Sequence, residues 1–285
     1  MPFVRSTDGI RLHYNDVGRR SAPPVLMIQG LGTDKHAWTL QRLALASRYR
    51  TIALDNRGAG RSDKPYGDYS LKQMAQDAIT VLDHAGVETA HVMGASMGGA
   101  IAQIIGARNA DRTRSLTLAC TSCTQHQWRK ELLAQWASSA ISDGIGSMTA
   151  EAARWVIGPR SFRRLAPAIG WMGPFAFSRP PHAFAGQVAA ILAIDDSLAD
   201  QLHNIIVPTL VIVGNQDILT PRGDSEDIAE RISTAELVVI SGAAHGLMIE
   251  YANTFNRILL EFLGRAERAY QALEADASEV EANVG

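Results

Sequence analysis

His91-Val92-Met93-Gly94-Ala95-Ser96-Met97-Gly98-Gly99-Ala100-Ile101 is the stretch on which the fold turns. Its first half belongs to a short apolar run, Ala90 to Gly94, that reads as a buried strand. Its second half restarts at once at helical spacing, with Ala100, Ile101, Ile104 and Ile105. Between them, Gly94-Ala95-Ser96-Met97-Gly98 fits G-x-S-x-G. That pattern is common by chance and gains meaning only between a strand and a helix, which is where it stands. A serine there must occupy a sharp turn in strained backbone. Small residues on both sides let neighbouring backbone approach. Ser96 Oγ is therefore expected to project at the C-terminal edge of a sheet. The helix behind it would present free N–H groups and the positive end of its dipole.

The same alternation extends outward in both directions. Val25 to Gln29, Thr51 to Leu54, Leu116 to Ala119, Val207 to Val213 and Leu237 to Ile240 read as strands. Leu71, Ala75, Ala78, Ile79 and Leu82 repeat at helical spacing, Ala229 and Ile232 suggest another helix, and Ile249 to Leu263 looks like a closing helix. Short apolar strands alternating with helices predict an α/β fold with a mostly parallel sheet covered on both faces. Asp8-Gly9, between Val4 to Thr7 and Arg11 to Val17, is a hairpin signal that predicts an antiparallel pair before the parallel strands.

Residues 121–204 interrupt the alternation. They carry eight of the twelve Phe and Trp (Trp128, Trp136, Trp155, Phe162, Trp171, Phe175, Phe177 and Phe184), so a helical layer with an apolar face to bury is expected there. The resulting division is a core of 1–120 and 205–264, an inserted helical cap of 121–204, and a polar C-terminal tail of 265–285. The tail holds five acidic and two basic residues with few large apolar ones, and is expected to fray.

Composition narrows the function. The net charge of −2, without a basic block, argues against a nucleic-acid partner. No apolar run reaches the roughly 18 residues of a membrane-spanning helix. The segment Met1 to Gly9 lacks a secretory apolar stretch, so a cytoplasmic location is expected. Cys120 and Cys123 form a C-x-x-C pair, but no second pair completes a zinc site and no thioredoxin-like context surrounds them. No metal or cofactor is expected.

A serine hydroxyl needs a base. Of eight histidines, His245 combines a loop position after the last strand, in Ser241-Gly242-Ala243-Ala244-His245-Gly246, with the chain order Ser…Asp…His. The acid is expected at Asp217, which follows the strongest apolar strand and can fix the imidazole tautomer. Asp195 and Asp196 are weaker alternatives, and Asp55 and Arg57 read as turn-holding residues. Backbone N–H groups of Leu31, in the glycine-rich segment Gln29-Gly30-Leu31-Gly32, and of Met97 are the candidate oxyanion donors.

Together these residues resemble the α/β-hydrolase superfamily with an inserted cap, from about Val25 to Leu263. Asp55-Asn56-Arg57-Gly58-Ala59-Gly60-Arg61-Ser62 is similar to its D-x-R-G-x-G-x-S turn, and Gly94 to Gly99 to the elbow of its esterase, enol-lactonase and C–C hydrolase branches. The resemblance implies an eight-stranded sheet, no required cofactor, and hydrolysis through an acyl-enzyme. Many relatives carry His-Gly where this chain has Gln29-Gly30, and Gln is expected to hold the loop equally well. The leading expectation is a serine hydrolase acting on a small-molecule carboxylic ester with an apolar part. Enol-lactone opening or C–C hydrolysis at the same triad is the alternative, and a receptor-like member with little turnover is a third reading. Recognition of a charged group through Arg129, Arg154, Arg160, Arg163, Arg164 or Arg179 competes with the apolar pocket. Self-association is left open.

Overall fold

The computed structural model describes residues 2–163 and 180–284. Eight strands form one sheet in the order β1-β2-β4-β3-β5-β6-β7-β8. These are β1 (Phe3–Arg5), β2 (Arg11–Val17), β3 (Pro24–Ile28), β4 (Arg50–Leu54), β5 (Ala90–Ala95), β6 (Thr113–Ala119), β7 (Thr209–Gly214) and β8 (Ala235–Ile240). β1 and β2 pair antiparallel through Phe3 and His13, as the Asp8-Gly9 signal predicts, and β2 pairs antiparallel with β4. All later pairings are parallel. Every residue of β3, β4, β5 and β7 is buried, which is why these strands read as continuous apolar runs and not as alternations.

Helices cover both faces: α1 (Thr39–Leu45), α2 (Leu71–His84), α3 (Met97–Arg108), α8 (Arg222–Arg231), the short α9 (Leu247–Glu250) and α10 (Ala252–Val284). Between β6 and β7 the described residues include α4 (Gln127–Asp143), α5 (Ile145–Val156), α6 (Pro181–Leu192) and α7 (Asp196–Gln201). Trp171, Phe175, Phe177, Arg164 and Arg179 lie outside the described residues. α4 is fastened to the core by Arg129, whose guanidinium pairs with Asp224 of α8 and donates to Ser122 Oγ at 2.9 Å. Both partners of that pair are buried, so removing one would cost about 3–5 kcal/mol.

α3 is apolar on nearly all sides and nearly all buried, the pattern of a helix enclosed by the fold. Its entry depends on two glycines. A Cβ on Gly94 would collide with the Gly98 carbonyl, and one on Gly98 with the Ile28 carbonyl. Strand β5, the turn and β3 therefore approach backbone to backbone, which explains the small residues around Ser96.

The closing helix runs further than its sequence suggests. It begins at Ala252 and continues through Gly264 to Val284. Glu267 accepts from Arg114 of β6 at 3.1 Å and faces His91 of β5 at 3.0 Å, while Tyr270 lies under the Arg114 guanidinium at 4.2 Å. These contacts hold the first turns of a segment that has little apolar surface of its own. Among the described residues no helix is long and apolar enough to cross a membrane.

Candidate active site

Ser96 lies between the last residue of β5 and the first of α3, with φ 54° and ψ −119°. Such a conformation is strained for a residue with a Cβ and persists only where surrounding structure imposes it. Here the Ser96 N–H donates to Ala119 O at 3.0 Å, and Thr121 Oγ1 donates to Ser96 O at 2.8 Å. The last residue of β6 and the loop just after it thus grip both sides of the turn. Ser96 is half-buried while its neighbours are buried.

Asp217 and His245 come from the loops after β7 and β8. His245 Nδ1 lies 2.8 Å from Asp217 Oδ2, with the Asp217 side chain fully buried. The other Asp217 oxygen accepts from the N–H groups of Leu219 and Thr220, each at 2.9 Å, and Thr220 Oγ1 donates to Oδ2 at 2.8 Å. A carboxylate with this many donors is fixed in orientation. It therefore sets a tautomer in which Nδ1–H points at Asp217 and Nε2 is free to take a proton. The two loops are laced together, since the Gln216 N–H donates to Ala243 O at 2.8 Å and the Gly242 N–H to Asn215 Oδ1 at 2.7 Å. Among the described residues no hydrogen bond joins Ser96 Oγ to His245. Such bonds commonly tighten only around a reacting substrate.

The glycine-rich loop after β3 abuts the turn, and a Cβ on Gly30 would lie 3.1 Å from Ser96 Cβ. Three of its four amides are engaged. The Gly30 N–H donates to Gln29 Oε1 at 3.1 Å, the Gly32 N–H to Gln187 Oε1 at 2.9 Å, and the Thr33 N–H to Gly30 O at 3.4 Å. Among the described residues the Leu31 N–H has no acceptor, as an oxyanion donor requires in a resting site. Met97 is the first residue of α3, so its N–H is one of the helix's unsatisfied donors. Gln29 accepts from Gly30 N–H and Thr33 Oγ1 and so does hold the loop.

Asp55 fixes the base of this loop. Its carboxylate accepts from Lys35 Nζ at 2.8 Å, the Lys35 N–H at 3.0 Å and the Arg61 N–H at 3.0 Å, and faces His13 Nδ1 at 2.9 Å. Burial pushes the Asp55 carboxyl up, but these donors outweigh it and hold it below the ordinary carboxylate range. Arg57 is paired with Asp77 and Asp8, in keeping with a turn-holding role. Asp195 caps α7, accepting from the Ser197 N–H at 3.1 Å. Cys120 and Cys123 are free and buried, and burial pushes both thiols up, which disfavours the thiolate that redox chemistry needs.

Two further residues hold the site, Thr220 and Gln187. Thr220 has a local signal, since Asp217-Ile218-Leu219-Thr220 sets a hydroxyl three residues after an aspartate that accepts from its own turn. Gln187 has none, because its partner is 155 positions away.

The model of the α/β hydrolase fold family matches residues 23–252. A 3-oxoadipate enol-lactonase of Acinetobacter baylyi is 29% identical, over 92% of this chain and 96% of that protein. The crystal structure of an enol-lactonase from Burkholderia xenovorans superimposes with a TM-score of 0.86 at 28% identity, covering 92% of this chain and all of that one (100%). A thermophilic esterase from Thermogutta terrifontis does so with a TM-score of 0.85 at 28% identity, covering 93% and 99%. The chain belongs to the α/β-hydrolase family and is a hydrolase.

Proposed function

We propose that this α/β-hydrolase cleaves a carboxylic ester through an acyl-enzyme. In this reading Ser96 Oγ attacks the carbonyl, and His245 Nε2 takes the hydroxyl proton and returns it to the leaving alcohol. Asp217 holds the imidazole and stabilises its charged form, and the Leu31 and Met97 N–H groups receive the oxyanion. Water then enters, activated by the same His245, and releases the acid. The observation that carries the reading is the 2.8 Å Asp217–His245 pair, fixed by Thr220 and laced loops on the same edge of the parallel sheet as a serine at a strand–helix turn.

We further take residues 121–204 as a cap over this site. Supporting this, the Gly246 N–H, next to His245, donates to Val156 O at 2.7 Å, and the Gly158 N–H donates to Glu250 Oε2 at 3.0 Å. Trp155 stands one residue before Val156 and stacks with Trp128, with ring centroids 6.0 Å apart. An apolar roof of this kind would favour an ester with an apolar part. Arg129, a candidate for binding a charged group, is occupied by Asp224.

Enol-lactone opening is the second reading. It uses the same triad, and the enol-lactonases of Acinetobacter and Burkholderia are similar along nearly the whole chain. A panel of aryl esters, enol-lactones and β-diketones on purified protein tests both, with Ser96→Ala as control. Multiple turnover of esters supports the first reading, and turnover of lactones with inert esters supports the second. Binding without turnover of any class contradicts both.

A further inference from the structure

We propose that Gln187, on α6 of the insertion, is a positioning residue that aims the Leu31 N–H at the reacting carbonyl oxygen by holding its neighbour Gly32. The inference rests on the reading of Leu31 as an oxyanion donor. The Leu31 N–H belongs to the peptide group between Gly30 and Leu31. The peptide before it is held by the Gly30 N–H on Gln29 Oε1 at 3.1 Å, and the peptide after it by the Gly32 N–H on Gln187 Oε1 at 2.9 Å. A donor suspended between two clamped peptide planes needs no reorganisation when charge develops on the substrate. Without the second clamp the segment Gly30-Leu31-Gly32 has little stiffness of its own, and Gly32 stands at φ 67°.

Gln187 suits this task in three ways. Its side chain is fully buried, so both ends of the amide need partners. Both have them, since Oε1 accepts from Gly32 and Nε2 donates to Arg57 O at 2.9 Å. That pattern also fixes which end of the amide is oxygen, because the Gly32 N–H can only donate and the Arg57 carbonyl can only accept. Its helix is in turn pinned to the core. The Tyr69 N–H donates to Gly186 O at 3.3 Å, and His182 Nε2 lies 3.0 Å from Lys64 O. The insertion therefore reaches past any substrate-facing role and becomes part of the catalytic frame.

The test compares Gln187→Met, which keeps the shape and loses both hydrogen bonds, with Gln187→Glu, which keeps an acceptor for Gly32. Gln187→Met is expected to lower kcat about tenfold with KM within about twofold, since a misaimed donor penalises the transition state more than the ground state. The inhibition constant of a trifluoromethyl ketone, whose adduct places an oxyanion in the same position, should rise by the same factor. Gln187→Glu should recover part of both losses. In the wild-type protein the Gly32 amide should exchange slowly with solvent, a measurement that needs no variant to fold. A folded Gln187→Met with wild-type kcat and ketone affinity, or a freely exchanging Gly32 amide, would overturn the proposal. A wild-type protein that neither turns over esters or lactones nor binds the ketone would overturn the underlying reading as well.

Discussion

At each end of β5 the sheet edge holds a serine, a histidine and a carboxylate. At its C-terminal end stand Ser96, His245 and Asp217. At the other, about 16 Å back along the strand, His91 Nδ1 lies 2.8 Å from Ser115 Oγ and His91 Nε2 lies 3.0 Å from Glu267 Oε2. By hydrogen bonds alone the second cluster is the more complete. Yet Ser115 is fully buried, and it pairs with His91 across the β5–β6 ladder just after a register shift at Ala90 and His91. Its partners are spent on one another and on Arg114, and together they dock α10 against the sheet. Ser96 instead sits in a strained turn, half-open to solvent, with the unengaged Leu31 amide nearby. Access and donors left unused, not the hydrogen-bonded chain, separate Ser96 from Ser115.

Mutation should separate the two ends. Ser96→Ala is expected to lower kcat by about 10³-fold or more with little change in stability. Ser115→Ala should leave turnover within about twofold of wild type, since nothing there can meet a substrate. Steady-state kinetics and thermal melts on both variants check this, and comparable activity losses would erase the distinction. Asp217→Asn should come next, with a fall in kcat of about 10²–10⁴-fold in a folded protein, because the amide favours the wrong histidine tautomer. Near-normal turnover in that variant would move the acid elsewhere.

At the other end, Glu267→Ala strips partners from His91 and Arg114. It should cost about 1–3 kcal/mol in denaturant unfolding while kcat holds. A change in kcat without loss of stability would mean that the cluster communicates with the site. The smallest effect concerns pH. Burial holds the His91 and His13 imidazoles below their ordinary range, and the carboxylates facing them offset this only in part. In the unfolded chain both return to about 6.5. The stability they contribute is thus full above about pH 6.5 and is lost as pH falls from there towards their folded values. Melting temperatures between pH 7 and 5 should decline, and less steeply in His91→Gln, whose amide can still meet Ser115 and Glu267. Parallel declines in both proteins would assign the acid sensitivity to other groups.

What the sequence disclosed and what it withheld differ in range along the chain. The turn at Ser96, the strand ends at Asp217 and His245 and the open amide of Leu31 each follow from a few consecutive residues. Apolar runs that end in Gly, Asp or Ser say where strands stop, and a parallel sheet collects those stops on one edge. Lys35 shows the limit. A lysine in a loop reads as solvated, yet it is buried on Asp55, a partner that composition cannot supply. The same holds for Gln187 on Gly32. The length of α10 was hidden for a related reason. Gly264 and a polar sequence suggest an end, while Glu267 and Tyr270 find their partners on β5 and β6 only in the fold.

Treating the native protein with a fluorophosphonate, then mapping the adduct by peptide mass spectrometry, tests most directly whether Ser96, and not the better-bonded Ser115, is the nucleophile. One adduct should form, on the peptide holding Ser96, and none in Ser96→Ala, with the peptide of Ser115 unmodified in both. An adduct that persists in Ser96→Ala, or that appears on another serine while Ser96 stays free, would contradict the account.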